Sequence, residues 1–414
     1  MIVFHVDVNS AYLSWEAVYR LQHGAKLDLR TIPAVVGGSE KSRHGIVLAK
    51  SIPAKKYGVK TGEPLVKARQ KCPKLVSVPA RYELYMKASN ALYDLLQTYS
   101  PFVQRFSVDE CFIDYTRSNH LHGDPIDAAY KLKNQIKEQF GFTVNVGVSS
   151  NKLLAKMASD FKKPNNVHTL FPEQMAEKMW PLPVSDLFMA GSATVRKLLK
   201  IGITTIGDLA KADVNLLRAH LKSHGELVWR YANGIDDTAV HVGDYLPHRG
   251  VGNGSTIAFD VTDKKTAYKI LLSLTEKVAM RLRDGGFTAQ VVSVSVKSSE
   301  FVRYSHQMKL RAPTDVTNEI YYTACQLFDE CWQHEPVRHL RVRLSQLKQK
   351  EESQMLIMNA KQHYKLQNID KTVDSLRKRY GNNALTRGVF LHSGQRPILG
   401  GIVEEDYQMM SSIL

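Results

Sequence analysis

The first apolar run of the chain, Ile2 to Val8, is continuous apart from His5 and Asp7, the pattern of a strand covered on both faces. It ends in the turn-like pair Asn9-Ser10. Residues 11 to about 80 alternate short helical and strand patterns, punctuated by Gly37, Gly38, Gly45, Gly58 and Gly62, as suits a small inserted subdomain. Tyr82 to Tyr99 has helical periodicity and is stopped by Ser100-Pro101. The apolar stretch Phe102 to Tyr115 is broken by Ser107-Val108-Asp109-Glu110, predicting a strand pair with the acids at or beside its turn. Asp124-Pro125 starts a helix with Ile126, Ala129, Ile136 and Phe140 on its buried side, and Gly141 closes it. Phe142 to Val148 alternates valines with Thr143, Asn145 and Gly147, predicting a half-buried strand, and Ser150-Asn151 caps a helix to about Phe161.

Strands and helices therefore alternate around a small sheet, an α+β arrangement of the split βαβ kind. Residues 171–240 read as helical, with breaks at Gly191, Gly202 and Gly225. A polar, Gly-rich stretch around Gly243 to Gly254 marks a linker, placed at 241–247, before a second α+β unit, 248–346, ordered strand, helix, strands, helix, strand. The tail, 347–414, reads as partly disordered and partly helical, and as dispensable for synthesis on short templates. The chain has 414 residues, enough for several domains with cores of their own.

Composition narrows the function. No run approaches the ~18 apolar residues of a membrane span, and the N-terminus lacks the basic start of a signal peptide. Cys72, Cys111, Cys325 and Cys331 have neither metal-site nor disulfide spacing, which points to a reducing, cytoplasmic setting. Lys and Arg total 56 against 40 Asp and Glu, a net charge of +16. Such a surface is either simply solvated or built for a polyanion.

Asp7 at the end of a buried strand is either a turn acid or a functional carboxylate, since burial of an uncompensated charge is costly. Asp109 and Glu110 are either a solvated hairpin tip or metal ligands. Nucleotidyl transfer needs two or three carboxylates around cations ~4 Å apart. Adjacent strand residues face opposite ways, so both acids serve one site only if the backbone turns there. In the second unit, Leu340, Val342 and Leu344 alternate with Arg341, Arg343 and Ser345. The charged face either follows a phosphate backbone or defends a solvated edge strand.

Five segments then carry a resemblance: VDVNSAYLSWE (6–16), GIVLAKSIPAKKYGVKTGEP (45–64), FSVDECFID (106–114), VGVSSNKLLAKMASDFKKPNN (146–166) and LFMAGSATVRKLLKIGITTIGDLA (187–210). In content, order and spacing the chain resembles the Y-family DNA polymerases of the DinB/UmuC kind, the translesion enzymes that include bacterial DNA polymerase IV. The resemblance implies a right-hand polymerase: palm (1–10 and 81–170), fingers (11–80), helical thumb (171–240) and little finger (248–346). It implies two Mg²⁺ ions held by Asp7, the Val8 carbonyl, Asp109 and Glu110. Tyr12 falls at the steric gate against the ribose 2′-OH, and Ala11, Ser51, Lys55 and Lys163 at the incoming dNTP. Ile52 and Lys55 stand where the family commonly has a tyrosine and an arginine, which weakens the expected grip on the triphosphate.

In the thumb, Met189-Ala190-Gly191 stands where a Gly-x-Gly hairpin would contact DNA, keeping only Gly191. Gln354-Met355-Leu356-Ile357-Met358 loosely resembles a sliding-clamp docking peptide, with Gln354, Leu356 and Met358 as its anchors, although Met358 replaces the usual aromatic. The implied protein is a monomer that works on primer-template DNA near the nucleoid, at low processivity and without proofreading. A nucleotidyl cyclase on a related palm, or a relative that kept the fold without the chemistry, are the competing readings.

Overall fold

The structure, a computed structural model, describes residues 1–38, 43, 45–242, 249–350, 360–391 and 393. The chain forms two compact units, Met1–Gly37 with Val47–Tyr245, and Gly38–Ile46 with Leu246–Leu414. The main division falls between residues 245 and 246.

The first unit is built on β1 (Val3–Val8), β2 (Ala34–Gly37), β3 (Val47–Lys50), β4 (Val76–Pro79), β5 (Val103–Arg105), β6 (Glu110–Asp114), β7 (Val144–Ser149) and β8 (Val167–Thr169). Five of these form a sheet in the order β5-β6-β1-β7-β8, with β1 at its centre and antiparallel to both neighbours. β1 is buried along its whole length, as its unbroken apolar run requires. β7 is also buried throughout and not half-solvated. Its polar positions are covered because the helix Lys152–Ser159 lies directly on them. A Cβ at Gly147 would stand 1.9 Å from the Ala155 carbonyl oxygen, so only glycine admits that approach.

Asn151 caps this helix by accepting from the Leu154 amide. Asp124 caps the helix Pro125–Phe140 through the Ile126 and Asp127 amides, and Gly141, at φ 72°, ends it. The buried face of that helix is Ala128, Ala129, Leu132 and Ile136. Ile126 is exposed, because the cap sets the first turn outside the core.

β2, β3 and β4 make a separate three-stranded sheet around a small core that includes Val35, Ala54, Val59, Leu65 and Leu75. The helix Ala11–Gln22, which the pattern grouped with this insertion, instead buries Leu13, Trp15 and Ala17 in the core of the five-stranded sheet. Between Met175 and Ala232 the regular elements are short helices, and Leu198, Ile206, Leu217 and Val228 share a core with Leu154 and Met157.

The second unit carries β9 (Gly250–Val261), β10 (Phe287–Ser298), β11 (Arg303–Thr314) and β12 (Val337–Gln349) in the order β11-β10-β12-β9. The helices Lys264–Asp284 and Thr317–Cys331 share its core with Leu340, Val342 and Leu344. β12 is an interior strand, which removes the edge-strand reading of its arginines. Arg341 and Arg343 are exposed, and each faces a glycine across β9, Gly254 and Gly252.

The tail is not a detachable appendage. The helix Ala360–Tyr380 turns its polar residues inward. Arg283, buried among acids, donates to Asp374 at 2.6 Å and Asp370 at 3.3 Å. Gln367 donates to the buried Asp315 at 2.7 Å, and Glu276, 5% exposed, receives Arg387 at 2.8 Å and Arg377 at 3.5 Å. Removing this helix would strand buried charges, at about 3–5 kcal/mol for a broken buried pair. Truncation after Gln349 is therefore expected to lower the melting temperature of the second unit by about 10 °C. An unchanged melting curve would restore the tail as dispensable. Gln354, Leu356 and Met358 lie outside the described residues.

Candidate active site

The end of β1 and the bend before β6 bring the acids together. Asp7 pairs directly with Glu110 across the antiparallel strands, so both side chains leave the sheet on one face. Asp109 precedes the strand, in a bend where the Phe106 and Ser107 amides both donate to the Glu110 carbonyl. The Val8 amide donates to the Asp109 carbonyl at 3.0 Å. That bend is what lets consecutive acids approach one site.

Asp7, Val8 and Asp109 line a cleft of about 580 Å³ that also includes Ala11, Tyr12, Ser51, Ile52, Lys55 and Lys163. Burial raises the carboxyls of Asp7 and Asp109 above their ordinary range, Asp109 to about 6. Lys163 opposes the rise at Asp7 through an ion pair, and Ser107, donating at 2.5 Å, opposes it at Asp109. Glu110 behaves differently. Burial would raise it too, but His5 and Lys156 outweigh burial and bring it down to about 2. Lys156 donates to Glu110 at 3.0 Å, and His5 Nε2 stands 3.7 Å away.

Neither His5 nor Lys156 was singled out from the sequence as a site residue. Their signal was polarity in the wrong place: a histidine inside a buried strand, and a lysine on the apolar face of LLAKMAS. His5 is fully buried, with Nδ1 on the Ser159 hydroxyl at 2.7 Å. Lys50 also lines the cleft unanticipated, its ammonium pKa lowered by burial and by Lys55.

Lys163 pairs with Asp7 and with Asp160 at 2.8 Å. Its loop is pinned by Asn145, which donates to the Ser159 and Lys162 carbonyls, both at 3.1 Å. Asn9 accepts from the Asn165 amide at 2.9 Å. Tyr12 stacks on Tyr85 with ring centroids 4.6 Å apart and planes at 12°. Ser51 lines the cleft, but its hydroxyl is committed: it donates to the Ile32 carbonyl at 2.7 Å and accepts from the Ala34 and Ala54 amides. It acts as a helix cap and has no free donor for a substrate.

As they stand, no three His, Cys, Asp or Glu side chains among the described residues form a metal-holding group. Lys163 is paired with Asp7 and Lys156 with Glu110. The donors nevertheless fit hard divalent ions, being carboxylate oxygens, and burial makes the ionised forms of Asp7 and Asp109 costly unless a cation offsets them. In the helical segment, Met189 adopts the left-handed conformation, φ 71°, that a glycine would take, and the Gly191 amide donates to the Met189 carbonyl at 3.1 Å. Met189 thus takes the backbone conformation of the first glycine of the Gly-x-Gly pattern.

The model of the impB/mucB/samB family matches residues 6–160, and that of the family's C-terminal domain matches residues 248–357. The chain is 46% identical over 397 residues to DNA polymerase IV of Clostridium acetobutylicum, covering 95% of this chain and 99% of that protein. The chain belongs to the Y family of DNA polymerases, the translesion enzymes. A Bacillus subtilis relative, DNA polymerase IV 2, is 34% identical over 398 residues, 94% of each chain. The Y-family chimera Dbh-Dpo4(243-245)-Dbh superposes with a TM-score of 0.69 at 24% identity, over 84% of this chain and 99% of that one, and shows the palm, fingers, thumb and little-finger fold. A structure titled as the insertion ternary complex of Dbh DNA polymerase gives 0.58 at 24% identity, over 83% of this chain and 98% of that one.

As a member of the family the chain is a DNA-directed DNA polymerase with a divalent-metal requirement, and the cyclase reading falls. No described helix is long and apolar enough to cross a membrane.

Proposed function

We propose that the cleft carries out templated transfer of nucleotides from dNTPs to a primer 3′-OH by a two-metal route, at low processivity and without proofreading. The observation that carries this is the convergence of Asp7, Asp109, Tyr12 and Lys163 on one cleft. Two Mg²⁺ ions, when bound, would offset the triphosphate charge and favour ionisation of the primer hydroxyl. Asp7, Asp109, Glu110 and the Val8 carbonyl would hold them. Lys163 would then exchange its carboxylates for the triphosphate, with Lys55 and Lys50, which line the same cleft, adding charge. Tyr12 and Ala11 would form the floor under the sugar, where the Tyr12 ring excludes a 2′-OH. His5 and Lys156 would fix the orientation of Glu110.

Primer-template DNA would be held by the Gly191 turn and by the open face of β12. The tail would dock on a sliding clamp through the segment containing Gln354, Leu356 and Met358, the protein acting as a cytoplasmic monomer at the nucleoid. Primer extension with dNTPs and Mg²⁺ across an abasic template site tests the reading. Extension through the site supports it, whereas arrest at every lesion, or removal of a mismatched 3′ end, contradicts it.

Arg341 and Arg343 give a separate expectation. Their double alanine variant should weaken DNA binding nearly equally across sequences, and the log–log salt slope should fall by about 0.9 for each lost phosphate contact. Anisotropy titrations at several salt concentrations measure this, and an unchanged slope removes the two arginines from the interface.

A further inference from the structure

Glu16 lies one turn after Tyr12 on the helix Ala11–Gln22 and is fully buried. A carboxylate out of reach of water persists only with partners, and three side chains meet this one. Arg20 donates to it at 2.6 Å from the next turn of the same helix. Arg81 donates to both of its oxygens, at 2.8 and 3.0 Å, in the forked geometry that makes such pairs strong. The Tyr85 hydroxyl donates at 3.4 Å.

Arg81 immediately precedes the helix Tyr82–Gln97, and its carbonyl accepts from the Tyr85 amide at 3.2 Å. Its guanidinium also lies 3.9 Å from the Tyr19 ring centroid. One ion pair therefore joins the helix that carries Tyr12 to the first turn of the helix that carries Tyr85. That turn is what Tyr12 rests on. Tyr12 stacks on Tyr85 and meets the edge of Tyr82, with centroids 6.2 Å apart, while the buried Trp15 lies 6.0 Å from both Tyr12 and Tyr85. Tyr12 lines the cleft, whereas Glu16, Arg81 and Tyr85 stand behind the lining.

We propose that Glu16 and Arg81 are positioning residues for sugar selection, their ion pair holding Tyr85 behind Tyr12 so that the Tyr12 ring cannot tilt out of the path of a 2′-OH. A side chain that excludes by bulk discriminates only as far as it cannot yield, and what stops it yielding is the packing and hydrogen bonding behind it. This role rests on Tyr12 being the wall against the ribose.

Glu16→Gln keeps the size of the side chain and removes its charge. Arg81→Met removes the fork and leaves Glu16 with Arg20, so it carries the same test should Glu16→Gln fail to fold. Each variant should lower discrimination of dNTP over rNTP by about fivefold, with kcat/KM for the ribonucleotide rising. In a Tyr12→Ala background neither should lower it further, because the ring they hold is gone. Equal slowing with both sugars would make the pair a staple between two helices and overturn the inference. So would unchanged discrimination in Arg81→Met, or a full further loss on top of Tyr12→Ala. Unchanged discrimination in Tyr12→Ala alone would instead contradict the reading of Tyr12 itself.

Discussion

Asp109→Ala is expected to reduce single-turnover nucleotide incorporation by at least roughly 10³-fold while leaving DNA affinity within about twofold. The loss follows from position. Asp109 is one of two carboxylates lining the cleft, and the bend before Glu110 places it there. The fold should not suffer. The side chain's hydrogen bond is to Ser107 within the same bend, and its burial near Asp7 and Glu110 is unfavourable, as its raised pKa shows. Removing it should therefore leave the melting temperature unchanged or raise it. Rapid-quench assays beside a thermal melt decide the matter. More than a few per cent residual incorporation would deny Asp109 its role, and a collapsed melting temperature would make it structural.

Tyr12→Ala is expected to lower discrimination of dNTP over rNTP by on the order of 10²-fold. The ring is one wall of the cleft and is backed by Tyr85, which is 1% exposed, so the wall cannot retreat when a bulkier sugar enters. Burial pushes the Tyr12 phenol up to about 12, so it stays neutral throughout the working pH range. Since bulk and not the hydroxyl is the obstacle, Tyr12→Phe should keep wild-type selectivity. Incorporation of each nucleotide opposite one template base measures both variants. Unchanged discrimination in Tyr12→Ala would reassign the residue to the core.

How far the sequence was legible depended on whether chemistry or partners decided each feature. Asp7 and Asp109 stood out because a strand end and apolar flanks expose an acid to a pattern reading, Tyr12 only through the family resemblance, and the structure brings the three to one cleft. The local signals at Asp124, Gly141 and Asn151 also translated directly into caps. Partners from distant segments were not legible. His5 and Lys156 meet Glu110 from opposite sides of more than forty residues of chain, which no spacing rule anticipates.

The tail helix inverted the usual rule. Gln367, Asp374 and Arg377 face inward, while Ile369 and Tyr380 are exposed, so hydrophobic periodicity could not reveal that it docks. Strand neighbours were equally invisible, and only the sheet order shows that β12 is interior and its arginines face glycines.

The central claim, that this cleft assembles a metal-assisted nucleotidyl transfer site, is tested most directly by a crystal structure with primer-template, incoming dNTP and Mg²⁺. The account predicts divalent cations held by Asp7, Asp109 and Glu110, with Lys163 released from Asp7 and turned to the triphosphate. A nucleotide bound with Lys163 still on Asp7, and no cation on Asp109 or Glu110, would contradict it.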